Sequence, residues 1–349
     1  MMTVEDFMAQ WHDGNDKVLV HTSGSTGKPK PMWVEKRRML NSARITCDFL
    51  GLKAGDTALL CMPLDYIAGK MVVVRALERK LRLISVPPSG HPLAHLPLEE
   101  NASGSVEPVG LDFAAMVPLQ VYNSLQVADE RERMMRIGHL IIGGGAIDDR
   151  MARALRRFPN AVWSTYGMTE TLSHIALRRL SGEEASAWYT PFDSVSVSQT
   201  PDGCLVIDAP LVHEGRLVTN DRVELRSDAV TGRRQFRVLG RKDNVIDSGG
   251  IKIQIEEVEH ALQPFLRAPF AITKLPDEKF GEIVVLLSEQ SDRAELEEIC
   301  MNALPHYWVP RRFLHVSHIP MTETGKIARQ QAGELALRLS QQDVRPKRA

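Results

Sequence analysis

Cysteine is scarce. The 349 residues include four, Cys47, Cys61, Cys204 and Cys300, with no CxxC pair and no histidine at metal-ligand spacing. That pattern excludes a disulfide scaffold and a zinc module, and it fits a reducing, cytoplasmic compartment. An excess of either charge is also missing: 43 Lys and Arg stand against 44 Asp and Glu. No bulk field therefore draws the chain toward nucleic acid or an acidic membrane surface. No apolar run reaches the roughly 18 residues that a membrane span needs, so no membrane insertion is expected. The opening MMTVEDFMAQWHDG is acidic and lacks the apolar stretch of a secretory signal.

What remains is ordinary globular material, 43% hydrophobic and 25% charged. The length predicts about two domains. Apolar, β-prone runs alternate with amphipathic stretches through the first half. Strands are expected at 17–21, 57–62, 81–86, 113–117, 139–142 and 161–164, with helices at 35–50, 68–80, 122–135 and 149–158 between them. Residues 85–110, rich in Pro, Gly and Ser, read as a loop. The alternation predicts an α/β fold with a mostly parallel sheet and flanking helices. After about residue 191 short runs at 195–199, 204–208, 216–218, 222–225 and 235–239 predict a small antiparallel β unit. From about residue 243 a compact α+β module follows. The expected division is 1–242, with an α/β core at about 15–190 and a β-rich part at about 191–242, then 243–349.

The densest chemical signal is TSGSTGKPK at residues 22–30, after a strand. Gly24 and Gly27 allow close backbone approach to an anion, Thr22, Ser23, Ser25 and Thr26 supply hydroxyl donors, and Lys30 adds charge. It is not a Walker A loop: Gly24 lies only two residues before the Gly27–Lys28 pair, and Pro29 follows. This segment resembles the phosphate-binding signature of the adenylate-forming superfamily, which includes acyl- and aryl-CoA ligases and luciferases.

Further segments fall in that family's order. STYGMTE at 164–170 resembles its second core motif. The resemblance implies adenine stacking on Tyr166, backbone approach at Gly167, an α-phosphate donor in Thr169, and Mg²⁺ ligation by Glu170, a hard oxygen ligand. Gly143, Gly144 and Gly145 match the glycine-rich wall of the adenine pocket. LVTND at 217–221 stands where members often have TGD, so Asp221 inherits the ribose hydroxyls and Asn220 replaces a glycine in what reads as a turn. FRVLGRKDNVIDSGGIKIQIEEVE at 236–259 resembles the hinge segment. It implies a ribose or phosphate contact for Arg241, the hinge at Asp243, and approach of the coenzyme A arm at Gly249 and Gly250, which also read as a simple turn. MTETGKIAR at 321–329 matches the last core motif, with Lys326 as the catalytic lysine.

The implied chemistry is attack of a carboxylate on the α-phosphate of ATP with Mg²⁺, then transfer of the acyl group to coenzyme A as co-substrate. No general base is needed, because the nucleophile is already ionised. PLDYIAGKMVVVRAL at 63–77 is similar to a region of o-succinylbenzoate–CoA ligases, which act on an aromatic acid with two carboxylates in menaquinone synthesis. Arg75 is the candidate partner for the second carboxylate, Lys70 the next, and Tyr66 stands where the family usually has His. A different aryl- or acyl-CoA ligase, an acid-activating domain that loads a carrier protein, and a non-catalytic relic are the other readings. Intact Glu170, Asp221 and Lys326 argue against the last. Members usually carry a long stretch before the phosphate loop, so the chain resembles a shortened ligase whose uncovered surface suggests a homodimer.

Overall fold

The computed structural model describes residues 2–21, 31–100, 104–145, 147–322 and 326–343. Its main sheet has seven strands in the order Thr190–Pro191, His174–Arg179, Ala161–Gly167, His139–Ile142, Phe113–Met116, Thr57–Leu60, Arg82–Ser85. The last five are mutually parallel, and His174–Arg179 runs antiparallel beside Ala161–Gly167. FAAM at 113–116 is buried along its whole length, as a strand covered on both faces must be. The helices Lys36–Leu50 and Ile67–Arg79 pack on each other, joined by Arg79–Asp48 at 2.5 Å and Arg44–Glu78 at 3.0 Å. Both pairs are partly exposed, so the apolar contacts around Met39, Ala43, Met71 and Val74 contribute more than the ions.

Strand–helix alternation holds, with several differences from the sequence reading. Among the described residues Lys17–His21 pairs only with Pro31–Glu35, outside the main sheet. The single helix expected at 122–135 is two, Pro118–Gln126 and Ala128–Met135, because Val127 is extended. The runs at 216–218 and 222–225 are one strand, Arg216–Ser227, bulged after Arg222. Asn220 and Asp221 therefore lie in a strand and not in a turn, and Asn220 has no positive φ. Residues 85–110 include a short hairpin of Leu98–Glu100 with Val106–Pro108. The helix Val4–Trp11, capped by Thr3, had no counterpart in the sequence reading.

The antiparallel sheet Ser196–Gln199, Cys204–Asp208, Arg216–Ser227, Arg234–Arg241 shares one core with the main sheet, a cluster running from Phe7 to Phe236. The next apolar clusters begin at Ile246 and Ala271. There the strand Gly281–Ser288 sends Val284 and Leu286 to one cluster and Ile283, Val285 and Leu287 to the other. The period-two alternation of a strand explains why its run is apolar throughout. Helices Ile255–Leu262 and Arg293–Ala303 cover the first face, and Arg329–Asp343 covers the second. Each fully buried Leu or Val contributes about 1.5–3 kcal/mol.

All four cysteines are free and buried. Desolvation pushes the Cys61 thiol up to about 12 and Cys47 and Cys300 to about 11. No helix among the described residues is long and apolar enough to cross a membrane.

Candidate active site

Thr22, Ser23, Gly24, Ser25, Thr26, Gly27 and Lys30 lie outside the described residues. The strands on either side pair His21 with Pro31, which holds the two ends of that segment together.

Tyr166 ends the strand Ala161–Gly167, and its hydroxyl donates to Asp221 Oδ2 at 2.5 Å. Burial first, and the Asp221 carboxylate second, push the phenol well above its ordinary range, so it remains a donor. Its ring meets Phe236 edge-on at 4.9 Å and Tyr189 at 5.8 Å. The Asp221 amide donates to Thr219 Oγ1 at 3.1 Å, and Asp221 faces Arg241 across the sheet. The Lys326 ammonium is lowered below the ordinary lysine range by burial; Asp221 opposes that shift and Arg241 adds to it. Lys326 is held by its neighbours: Thr322 N–H donates to its carbonyl at 2.7 Å, and its own N–H donates to Thr322 Oγ1 at 3.1 Å. Three residues on, Arg329 grips Glu259 through two hydrogen bonds of 2.6 and 2.5 Å.

Gly143–Gly145 follow the strand His139–Ile142. A Cβ on Gly143 would lie 2.6 Å from Thr165 Oγ1, Gly144 has φ +83, and a Cβ on Gly145 would lie 4.0 Å from Lys326 Cε. Tyr166, Asp221, Arg241, Gly145 and Lys326 are thus brought together from positions spread over most of the chain. Gly167 is fixed by close approach: a Cβ there would lie 2.2 Å from Ser173 O. Thr169 is buried and Glu170 exposed in the turn that follows. The Glu170 carbonyl shares a hydrogen bond with His213 Nδ1 at 3.2 Å. Among the described residues no cluster of three acidic, His or Cys side chains could cage a metal.

Gly249 and Gly250 form the two-residue tip of the hairpin Val245–Ser248/Ile251–Gln254, with φ +61 and +83. Positive φ at both positions is the requirement of a type I′ turn, so the simple-turn reading of this pair holds geometrically. Asp243 lies in the short turn between Arg241 and Val245.

On the acid side, Arg75 is 2% exposed and has no carboxylate partner among the described residues. Its Nη2 donates to Ser173 Oγ at 2.7 Å and to Thr46 Oγ1 at 3.5 Å, while its Nε has no partner. Thr46 Oγ1 also shares a hydrogen bond with His174 Nε2 at 3.1 Å, and Ser173 Oγ with His174 Nδ1 at 3.2 Å. Burial pushes the guanidinium down to about 10. Burial and then Arg75 hold His174 well below the ordinary imidazole range. Leu172, with φ +67, turns the chain into this cluster; a non-glycine residue there is strained. Thr46, Ser173 and His174 were not in the sequence reading. Ser173 and His174 lie three and four residues past the STYGMTE segment, which was the only signal available.

Lys70 is also buried, but its Nζ donates to Leu19 O at 2.7 Å and lies 5.8 Å from the Phe7 ring. Lys70 and Arg75 are five residues apart, about 140° around the helix, so they face different surroundings. Tyr66 occupies the position before the helix and accepts from Lys70 N at 3.3 Å.

Residues 7–198 match the AMP-binding enzyme family, and the chain belongs to it. A 2-succinylbenzoate–CoA ligase of Bacillus cereus is 25% identical over 91% of this chain and 69% of its own length. A solved structure of an acyl-CoA synthetase (AMP-forming)/AMP-acid ligase II-like protein from Dyadobacter fermentans is 31% identical, with 94% and 91% of the two chains covered and a TM-score of 0.61. The o-succinylbenzoate CoA synthetase of Bacillus subtilis, solved with its acyl-adenylate intermediate, shares the fold at a TM-score of 0.71. It is 22% identical over 90% of this chain and 68% of that one.

Proposed function

We propose that this enzyme is an AMP-forming carboxylic acid–CoA ligase acting on o-succinylbenzoate, to give o-succinylbenzoyl-CoA, AMP and diphosphate, the step used in menaquinone synthesis. The observation that carries the acid assignment is Arg75, a buried guanidinium with neither a carboxylate nor a partner for its Nε among the described residues. A buried charge is costly unless paired, so the site suits an acid whose second carboxylate supplies the missing anion. The similarity to 2-succinylbenzoate–CoA ligases supports the same reading.

In the first step the acid's free carboxylate attacks the α-phosphate of ATP and diphosphate leaves. Asp221, held by the Tyr166 hydroxyl, accepts from the ribose hydroxyls. Lys326 offsets the charge that develops on the phosphate oxygens. The exposed Glu170 carboxylate suits Mg²⁺, which commonly binds one protein carboxylate together with substrate phosphates. Bound there, Mg²⁺ would neutralise phosphate charge. In the second step the coenzyme A thiol displaces AMP from the acyl adenylate. We take residues 1–242 and 243–349 as two units that pivot near Asp243, so that Lys326 serves the first step and leaves before the second. A homodimer is part of the proposal; a monomeric mass at working concentration contradicts it.

The test is pyrophosphate release over a panel of carboxylic acids, with and without coenzyme A. Release with o-succinylbenzoate above benzoate, followed by thioester formation, is expected. Preference for a monocarboxylic acid, or transfer only to a carrier protein, overturns the assignment.

A further inference from the structure

We propose that Asn220 is a positioning residue for the two-step reaction: its side-chain amide clamps Asp243 to the large unit and sets the pivot between Asp243 and Asn244. The inference rests on the ligase reading above and on the two-unit division.

The three residues of the connecting turn are tied in opposite directions. Asn220 Nδ2 donates to Asp243 Oδ2 at 3.0 Å and Oδ1 at 3.3 Å, and Arg241 Nη2 donates to Oδ2 at 3.0 Å. Lys242 Nζ pairs with Asp202, also in the large unit. Asn244 Nδ2 instead donates to Glu256 Oε1 at 2.5 Å, on the helix Ile255–Leu262 of the small unit. Residues 242 and 243 are therefore tied to the large unit, one residue beyond the expected division at 242, and residue 244 to the small one.

The bonds that a rotation must break lie elsewhere. Gln254 Nε2 donates to Arg241 O at 2.8 Å, and His260 Nε2 lies 3.3 Å from Asp149 Oδ2. Breaking these two contacts, with separation of Lys326 from Gly145 and of helix Ile255–Leu262 from strand Arg234–Arg241, lets the small unit move while the Asn220–Asp243 clamp stays closed. A glycine at position 220 has no side chain with which to make that clamp. Asp221, the next residue, is the ribose ligand of the proposal, so the clamp also links the pivot to the nucleotide site through one peptide unit.

The experiment compares the native chain with Asn220→Gly and Asn220→Ala. Losing hydrogen bonds to a charged group should slow single-turnover pyrophosphate release about fivefold. The KM for ATP and the thiolation of a supplied acyl adenylate should not fall behind wild type. The effect should vanish when Asp243 is already Ala, as a double-mutant cycle shows for coupled residues. Equal loss in both half-reactions, a raised KM for ATP with unchanged turnover, or no change overturns the clamp. If the native chain releases no pyrophosphate with any acid, the ligase reading fails and a distance measurement still decides. Spin labels at Val230→Cys and Met301→Cys, exposed by 93% and 64%, sit on the two units, and the native cysteines are all buried. A wider distance distribution in Asn220→Gly supports the clamp, and an identical one overturns it.

Discussion

The proposed nucleotide side and the proposed acid side of the site handle charge in opposite ways. On the nucleotide side three ions have protein partners: Tyr166 donates to Asp221, Arg241 to Asp243, and Lys326 lies within electrostatic reach of Asp221. On the acid side a guanidinium is buried against two hydroxyls and a neutral imidazole. Paired groups are ordered before ligand arrives, and that order is useful for a nucleotide whose charge is spread over several oxygens. An unpaired buried cation carries a desolvation cost that only an anion of matching shape offsets, which makes it a device for specificity.

The largest expected effect is at Lys326. Lys326→Ala should slow adenylate formation about 10²–10³-fold, the usual cost of removing a charge-stabilising group from a transition state. Thiolation of a supplied adenylate should survive; equal loss in both half-reactions contradicts the assignment. The alkaline limb of adenylation should also fall below the ordinary lysine range, since burial favours the neutral amine and the reaction uses the ammonium.

Arg75→Leu comes next. Losing a charge-assisted pair worth about 2–3 kcal/mol should lower kcat/KM for o-succinylbenzoate roughly a hundredfold, with turnover of benzoate little changed. The same substitution should not lower the melting temperature, because it removes an uncompensated buried charge. A variant that melts earlier and loses both acids equally would make Arg75 a structural residue and dissolve the contrast between the two sides.

Tyr166→Phe keeps the ring and removes the donor to Asp221. The KM for ATP should rise about tenfold, the low end of what one hydrogen bond to a charged group contributes, ~1.5 kcal/mol. An unchanged KM would mean that Asp221 is positioned by Thr219 and the strand alone.

The smallest effect is a pH slope. The folded state resists protonating His174, whereas the unfolded chain binds that proton near the ordinary value of 6.5. More protons bound to the unfolded state means that stability rises with pH. The contribution is complete above about 6.5 and declines below it by at most ~1.4 kcal/mol per pH unit for one group. Chemical denaturation between neutral and mildly acidic pH measures the slope, and His174→Gln should flatten it.

Much of this was legible in the residue order. FAAM and HLII read as buried strands because sheets covered on both faces need continuous apolar runs, and both are central strands. The strand His174–Arg179 was missed because HIALRR ends in two arginines and follows a motif rather than a helix. The strand Arg216–Ser227 was read in two pieces because TND has turn composition, and pairing on both sides overrode that local preference. On the site, Tyr166, Asp221, Arg241 and Lys326 were singled out by their spacing within short segments, and the structure brings them together. Lys70 was ranked beside Arg75 on charge alone, and its bond to Leu19 O was not visible.

By itself the sequence determined the α/β class and the order of the motif segments, and it singled out Lys326, Asp221 and Arg75 as candidates. Short-range spacing carries that information. Only the tertiary structure decided which charges are paired. Arg75 meets Ser173 across 98 residues and Thr46 across 29, and Asn220 meets Asp243 across 23. Burial and pairing depend on what surrounds a side chain in three dimensions, and no local pattern encodes contacts made over such separations.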